Sequence, residues 1–175
     1  TVSTLYLSYT PTECREEEIF HTIRLLFLYR ASLCHIYAIH SASILYRGKI
    51  FVFSAPSGTG KSTHTNLWKE LFGVPVINGD LNLLAIDQNH AMVHGLPWCG
   101  TSEIYHTKSY PLGGIILLQQ YQENEIVSLS PDEKALGILQ RLISPAWNSS
   151  QLKQNLTFAE KLSSMVPVCR LRCTK

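Results

Sequence analysis

The sequence predicts an α/β fold, and three observations carry that expectation. Ile50 to Phe53 is an apolar run that reads as a buried strand. A small-residue turn follows, Ser54-Ala55-Pro56-Ser57-Gly58-Thr59-Gly60, then Lys61-Ser62, and a helical pattern runs from Ser62 to about Phe72. The chain has 175 residues, 45% apolar and 16% charged. That is enough for one α/β domain with a real core and too few for two large ones. It is also too apolar for a disordered chain.

Strand, small-residue loop and helix in that order are the setting a phosphate-binding P-loop requires. Gly58 and Gly60 reach backbone angles closed to other residues and carry no Cβ, so successive N–H groups can turn inward on an anion. The new helix adds its free N–H groups and the positive end of its dipole. Lys61 supplies a mobile charge for the β- and γ-phosphates, and the Ser62 hydroxyl suits Mg²⁺. Ser57, Gly58, Thr59, Gly60, Lys61, Ser62 and Thr63 are therefore the expected nucleotide-binding residues. Ala55 stands where the usual pattern has its first glycine. The bland alternative is a Gly/Ser-rich loop that binds nothing.

The remaining elements follow in order. Thr4 to Ser8 alternates weakly, as a short edge strand does. Thr10, Pro11 and Glu13 form a helix start, with Thr10 as cap and Glu13 closing a capping box. Glu16, Glu17 and Glu18 put negative charge at the positive helix end. Ile19, Ile23, Leu26 and Phe27 predict an amphipathic helix of about 20 residues packed on the sheet. Ile39 to Leu45 alternates, Arg47-Gly48 turns, and Lys49 to Ser54 pairs back as a hairpin. That sets His40 on the strand beside the one feeding the loop, as a core or edge histidine or as a site residue.

Gly73 ends the central helix. Val76 to Asn78 is a short strand delivering Asp80 at its tip, where a carboxylate would face the metal of a bound nucleotide. Asn78-Gly79-Asp80-Leu81-Asn82 reads equally as an Asx-type loop. Leu83 to Ile86 and Ala91 to His94 form a hairpin around Asp87-Gln88-Asn89-His90. Gly95 to Glu103 is Gly-rich, with Trp98 as an aromatic anchor, and looks like a substrate-side loop. Strands are expected at 111–119 and 125–129, helices at 131–143 and 151–165, and a last strand at 166–171. The domain reading is one unit over 1–175: a leading strand and helix to 35, a nucleotide-binding core over 36–145, and a C-terminal helix and strand over 146–175.

Composition excludes several classes. Formal net charge is +2 and no basic run appears, so nucleic acid is not an expected partner. No charge-free apolar stretch reaches about 18 residues, so no membrane span is expected. The five cysteines, Cys14, Cys34, Cys99, Cys169 and Cys173, fit no zinc spacing. They read as reduced, small apolar side chains of a cytoplasmic protein. The formal sequons at Asn148 and Asn155 are then chance matches. The chain opens on Thr1 without an initiator Met, and it is expected to be part of a longer one.

Ser57-Gly58-Thr59-Gly60-Lys61-Ser62 resembles the loops of two related P-loop groups, the phosphoenolpyruvate carboxykinases and the HPr kinase/phosphorylases. His40-Ser41-Ala42 falls at the offset of a histidine in the second group, and Asp80 matches one member of the acidic pair that both groups place after the next short strand. Pro97-Trp98-Cys99-Gly100, the strand from Pro111 and the helix over 133–143 are similar to a branch of HPr kinase-like bacterial proteins. The resemblance covers about residues 36 to 145. It implies a mixed central sheet with flanking helices, ATP and Mg²⁺ as cofactors, and homo-oligomers. Lys61, Asp80 and His40 become the catalytic candidates, and Ser62 with Asp80 the metal ligands. The departures are specific. Gly79 or Leu81 stands where the second Asp belongs, with His40 or Glu103 as candidates to fill that gap. The Arg-Gly-Leu-Gly signature of true HPr kinases is not visible, and neither is the long substrate-binding portion of a carboxykinase.

The resemblance implies a kinase that transfers the γ-phosphoryl group of ATP to a hydroxyl, that of a serine in a peptide or small protein. The rival readings are a nucleotide-binding regulatory module without transfer, and a small-molecule kinase.

Overall fold

The computed structural model describes residues 15–100 and 103–174, together with Val2, Thr4 and Tyr6. The expected helix start at Thr10, Pro11 and Glu13 lies outside the described residues, as does most of the expected strand over 4–8. The elements are α1 (Arg15–Leu33), β1 (Ile36–Tyr46), β2 (Lys49–Ser54), α2 (Lys61–Phe72), β3 (Val76–Asn78), β4 (Leu81–Asp87), β5 (His90–His94), β6 (Ser109–Gln120), β7 (Glu125–Ser128), α3 (Pro131–Leu139), α4 (Ser149–Met165) and β8 (Val168–Cys173).

Two tight hairpins are set by local chemistry. Arg47 and Gly48 take φ of 50° and 75° between β1 and β2. Gln88 and Asn89 take 44° and 63° between β4 and β5. Positive φ at both central residues gives a turn whose twist matches the strands it joins.

The strands form the expected mixed sheet, most of whose pairings are antiparallel. The two parallel ones join β2 to β6 and β6 to β8. Two long strands change partners along their length. The first half of β1 pairs β4, from Ile36↔Ala85 to His40↔Leu81, and its second half pairs β2. The start of β6 pairs β5, its middle pairs β2 and its end pairs β8. As a result β2, β6 and β8 run side by side and finish at one end of the sheet.

Both faces are covered at β2 and the middle of β6, which read as apolar runs, whereas β8 carries Arg170 and Arg172 and is only half-buried. Ile50 and Val52 of β2 enter a cluster with Ile39, Leu84, Ile138, Phe158 and Leu162, under α3 and α4. Phe51 and Phe53 face the other way, toward Ile44, Val76 and Trp68 of α2. A third cluster joins Leu28 of α1 to Leu81, Leu83, Leu96 and Trp98.

Three expectations need correction. α1 does not bury a wide apolar face: Leu28 is buried, whereas Phe20, Ile23, Leu25, Phe27 and Leu33 stay exposed. Its apolar residues are spread around the helix, so a single line of them can reach the sheet, and Phe20 and Phe27 meet the Trp98 ring instead. α3 stops at Leu139 rather than running on to 143. Beyond it the chain pairs with β1: the His40 amide donates to Arg141 O at 3.0 Å and the Ile143 amide to Ala38 O at 2.9 Å. β2 begins pairing only at Ser41, so residues 38–40 would otherwise present unpaired edge groups. The last strand is shifted to Val168–Cys173.

Asn148 caps α4 by accepting from the Gln151 amide, and Asn155 is buried and donates to Ser144 O. No helix among the described residues is long and apolar enough to cross a membrane.

Candidate functional site

β2 ends at Ser54 beneath the sheet's C-terminal edge, and the chain turns through 55–60 into α2. Ala55 is wholly buried in the cluster under α2, so its methyl group fills space a glycine would leave empty. Gly58 and Gly60 adopt φ of 75° and 113°. A Cβ at either would meet nothing within 4 Å, so backbone conformation, not crowding, selects glycine there.

α2 begins differently from the other helices. α1 and α3 have acidic first turns, α3 also has Ser130 as cap, and α4 has Asn148. α2 has neither a side-chain cap nor an acidic residue in its first turn. Its orphan N–H groups and positive dipole end are left for something else to neutralise.

A cavity of about 330 Å³ opens at that point. It brings together His40, Ser57, Gly58, Gly60, Lys61, Ser62, Thr63 and Asp80, all named from the sequence, and adds Gly79 and Cys99. Thr59 does not join them. Its amide donates to Pro56 O at 3.4 Å, and it lines a second cavity on the far side of the loop. Glu103 is exposed and lines neither cavity, so it does not supply the missing second carboxylate.

Lys61 is only 8% exposed. Its Nζ donates to Ala55 O at 3.2 Å and to Pro56 O at 3.5 Å. Burial pushes its pKa down; Asp80 opposes this and Arg141 adds to it. A buried ammonium with neutral carbonyl partners is a centre still short of negative charge.

Asp80 is set by its neighbours. The Asn78 carboxamide oxygen accepts from the Asp80 and Leu81 amides at 2.9 and 3.0 Å, and its Nδ2 donates to Trp98 O. The Asx turn is real, but Asn78 makes it, and the Asp80 carboxylate is left to line the cavity. Gly100 backs it so closely that a Cβ there would lie 2.9 Å from the Asp80 Cβ. Asp80 Oδ1 lies 3.3 Å from His40 Nε2. That hydrogen bond lowers the Asp80 pKa against the opposing effect of burial, with further help from the charges of His40, Arg24 and Lys61. The carboxylate is therefore ionised throughout the neutral range.

The oxygen donors facing the cavity suit a hard divalent cation in part. Among the described residues no group of three or more His, Cys, Asp and Glu could hold a metal ion. One carboxylate and one hydroxyl, Asp80 and Ser62, fit Mg²⁺ that completes its shell with phosphate oxygens and water.

A family model described as SynChlorMet cassette protein ScmC matches residues 10–174. The chain belongs to the ScmC family. No curated protein matches it. Solved structures to which this ScmC member is similar include the HPr(Ser) kinase/phosphatase from Coxiella burnetii, at 12% identity and a TM-score of 0.37. That match covers 73% of this chain and 92% of the other. The chemistry available to the ScmC chain rests on its own residues.

Sequence reasoning assigned no role to Cys99, which lines the cavity, or to Arg24 and Arg141, whose charges reach Asp80 and Lys61. Asn78 did carry a signal, the Asx-type loop expected over residues 78–82, and it makes that turn. Arg24 and Arg141 had no local signal: α1 and the stretch after α3 bring them in from distant parts of the chain.

Proposed function

We propose that this ScmC family member is an ATP- and Mg²⁺-dependent kinase, with the loop over 55–60 as its P-loop. The carrying observation is the cavity itself. Left-handed glycines, an uncapped helix end, a buried lysine and an ionised aspartate bonded to histidine converge on one space. The donor substrate is a nucleoside triphosphate and the acceptor a hydroxyl, that of a serine in a peptide or small protein.

Backbone N–H groups at Gly58 and Gly60 and in the first turn of α2 receive the polyphosphate. Lys61 neutralises charge that builds on the transferring group. When bound, Mg²⁺ supplies charge neutralisation and orientation of the phosphate oxygens, and Asp80 and Ser62 are the residues that would hold it. The acceptor oxygen forms its bond to Pγ as the bond from Pγ to the β-bridging oxygen breaks and ADP leaves. The hydroxyl proton passes to the Asp80–His40 pair, 3.3 Å apart.

The test is ATP turnover with serine peptides, comparing wild type with Lys61→Ala. Equal rates would end the reading. One observation favours a second reading, a nucleotide-binding module without transfer: Asp80 is the only carboxylate among the described residues that line the cavity. Calorimetric ATP binding with no phosphoryl transfer to any peptide would select it.

A further inference from the structure

Resting on that kinase reading, we propose that the second cavity, behind the loop, binds an acidic peptide segment flanking the acceptor hydroxyl. This cavity holds about 530 Å³ and opens where β2, β6 and β8 finish. Pro56 and Thr59 of the loop form one wall, and Gln120, Arg141, Arg170 and Arg172 form much of the rest. Parallel strands of α/β sheets gather their ligands at this end.

The charge here has one sign. Three guanidinium groups line the cavity, and no carboxylate lines it among the described residues. Surface arginines usually extend their charge into water, and Arg172 is in any case partnered. It donates to Glu125 and Gln119, and its guanidinium lies 4.6 Å from the Tyr121 ring centroid. Arg141 and Arg170 are different. Both are half-buried, and among the described residues neither has a side-chain hydrogen bond or an ion pair. The charge of exposed Glu133 reaches Arg170 without an ion-pair contact, so both guanidiniums keep their forked donors available, and those donors match carboxylates.

The neighbouring phosphate cavity argues for an acceptor rather than the nucleotide. A polyphosphate has its donors on the other side of the loop, at Gly58, Gly60 and Lys61. A nucleobase is neutral and does not require arginines. The two cavities have adjacent walls, because the carbonyl of Arg141, which lines one, accepts the amide of His40, which lines the other, at 3.0 Å. A chain anchored on Arg170 and passing Arg141 would arrive beside His40 and Asp80. The volume suits a short peptide segment, and Gln119 Nε2 and Gln120 Oε1, the amide atoms not bonded to Arg172 or Gly58, offer partners for its main chain.

Fluorescence anisotropy on the full chain tests this with labelled serine peptides whose serine is flanked by glutamates, by glutamines or by lysines. The glutamate peptide should bind about tenfold more tightly than the glutamine one, with affinity falling as salt rises. Arg170→Gln should remove about that tenfold preference, and Arg170→Lys should restore part of it. Equal affinity for all three peptides overturns the proposal. So does a folded Arg170→Gln chain that keeps the preference. Displacement of the glutamate peptide by glutarate at equal concentration also overturns it, in favour of a small dicarboxylate. A fluorescent ATP analogue separates the two readings. Lost peptide preference with intact ATP binding overturns this inference alone, whereas no ATP binding by the wild type overturns the kinase reading beneath it.

Discussion

The loop over 55–60 has a cavity on each side, and the two differ in the origin and the sign of their charge. On one side the donors are backbone N–H groups and one lysine, and an ionised Asp80 sits among them. On the other the donors are arginine and glutamine side chains, with no carboxylate among the lining residues described. The smaller cavity, about 330 Å³, can hold an anion together with a cation; the larger, about 530 Å³, suits an anion alone. What separates them is a single low-pKa carboxylate, not size. An aspartate held ionised by a histidine would give a divalent ion a ligand, and a lining of guanidiniums would repel one.

Substitutions can break this contrast from either side. The largest effect is expected at Lys61. Lys61→Ala should lower phosphoryl transfer by about a thousandfold or more, while the affinity for the acidic peptide holds; a common loss of both would show that the cavities are one site. Gly60→Ala comes next. At φ 113° a Cβ is strained, so the loop geometry should fail and ATP affinity should fall by about tenfold or more. Gly60 lines only the smaller cavity, but Pro56 and Thr59 of the same loop wall the larger one, so the control is the glutamate-over-glutamine preference set by Arg170 on the far wall.

Asp80→Asn should abolish the Mg²⁺ dependence of ATP binding, read by titration with and without the ion. It also carries a pH signature. The Asp80 pKa is lowered in the folded chain, so its stabilisation is fully present above the unfolded value of about 4 and disappears as pH falls through the lower folded value. The difference in melting temperature between wild type and Asp80→Asn should therefore be steady at neutral pH and shrink below about pH 4. A difference that grows on acidification contradicts the assignment. The smallest effect is expected at Asn148→Ala. Losing the α4 cap should cost about 1 kcal/mol by denaturant melt and change neither ligand's affinity, since α4 lines neither cavity.

The sequence by itself determined the strand–loop–helix over residues 50–72, both tight hairpins, and Asp80 at the tip of a short strand. Each depends on neighbours in the chain: glycines where φ must be positive, alternation where a strand is half-buried, an apolar run where both faces are covered. Only the tertiary structure decided what surrounds that loop. Where β1 lacks β2 as a neighbour, its open edge is closed by the stretch after Leu139, and the Ala38 amide donates to the Ser144 hydroxyl 106 positions away. That pairing shortens α3, carries Arg141 to His40, and helps to build the arginine cavity. No periodicity marks such contacts, because the unpaired backbone groups that drive them exist only once the sheet has formed.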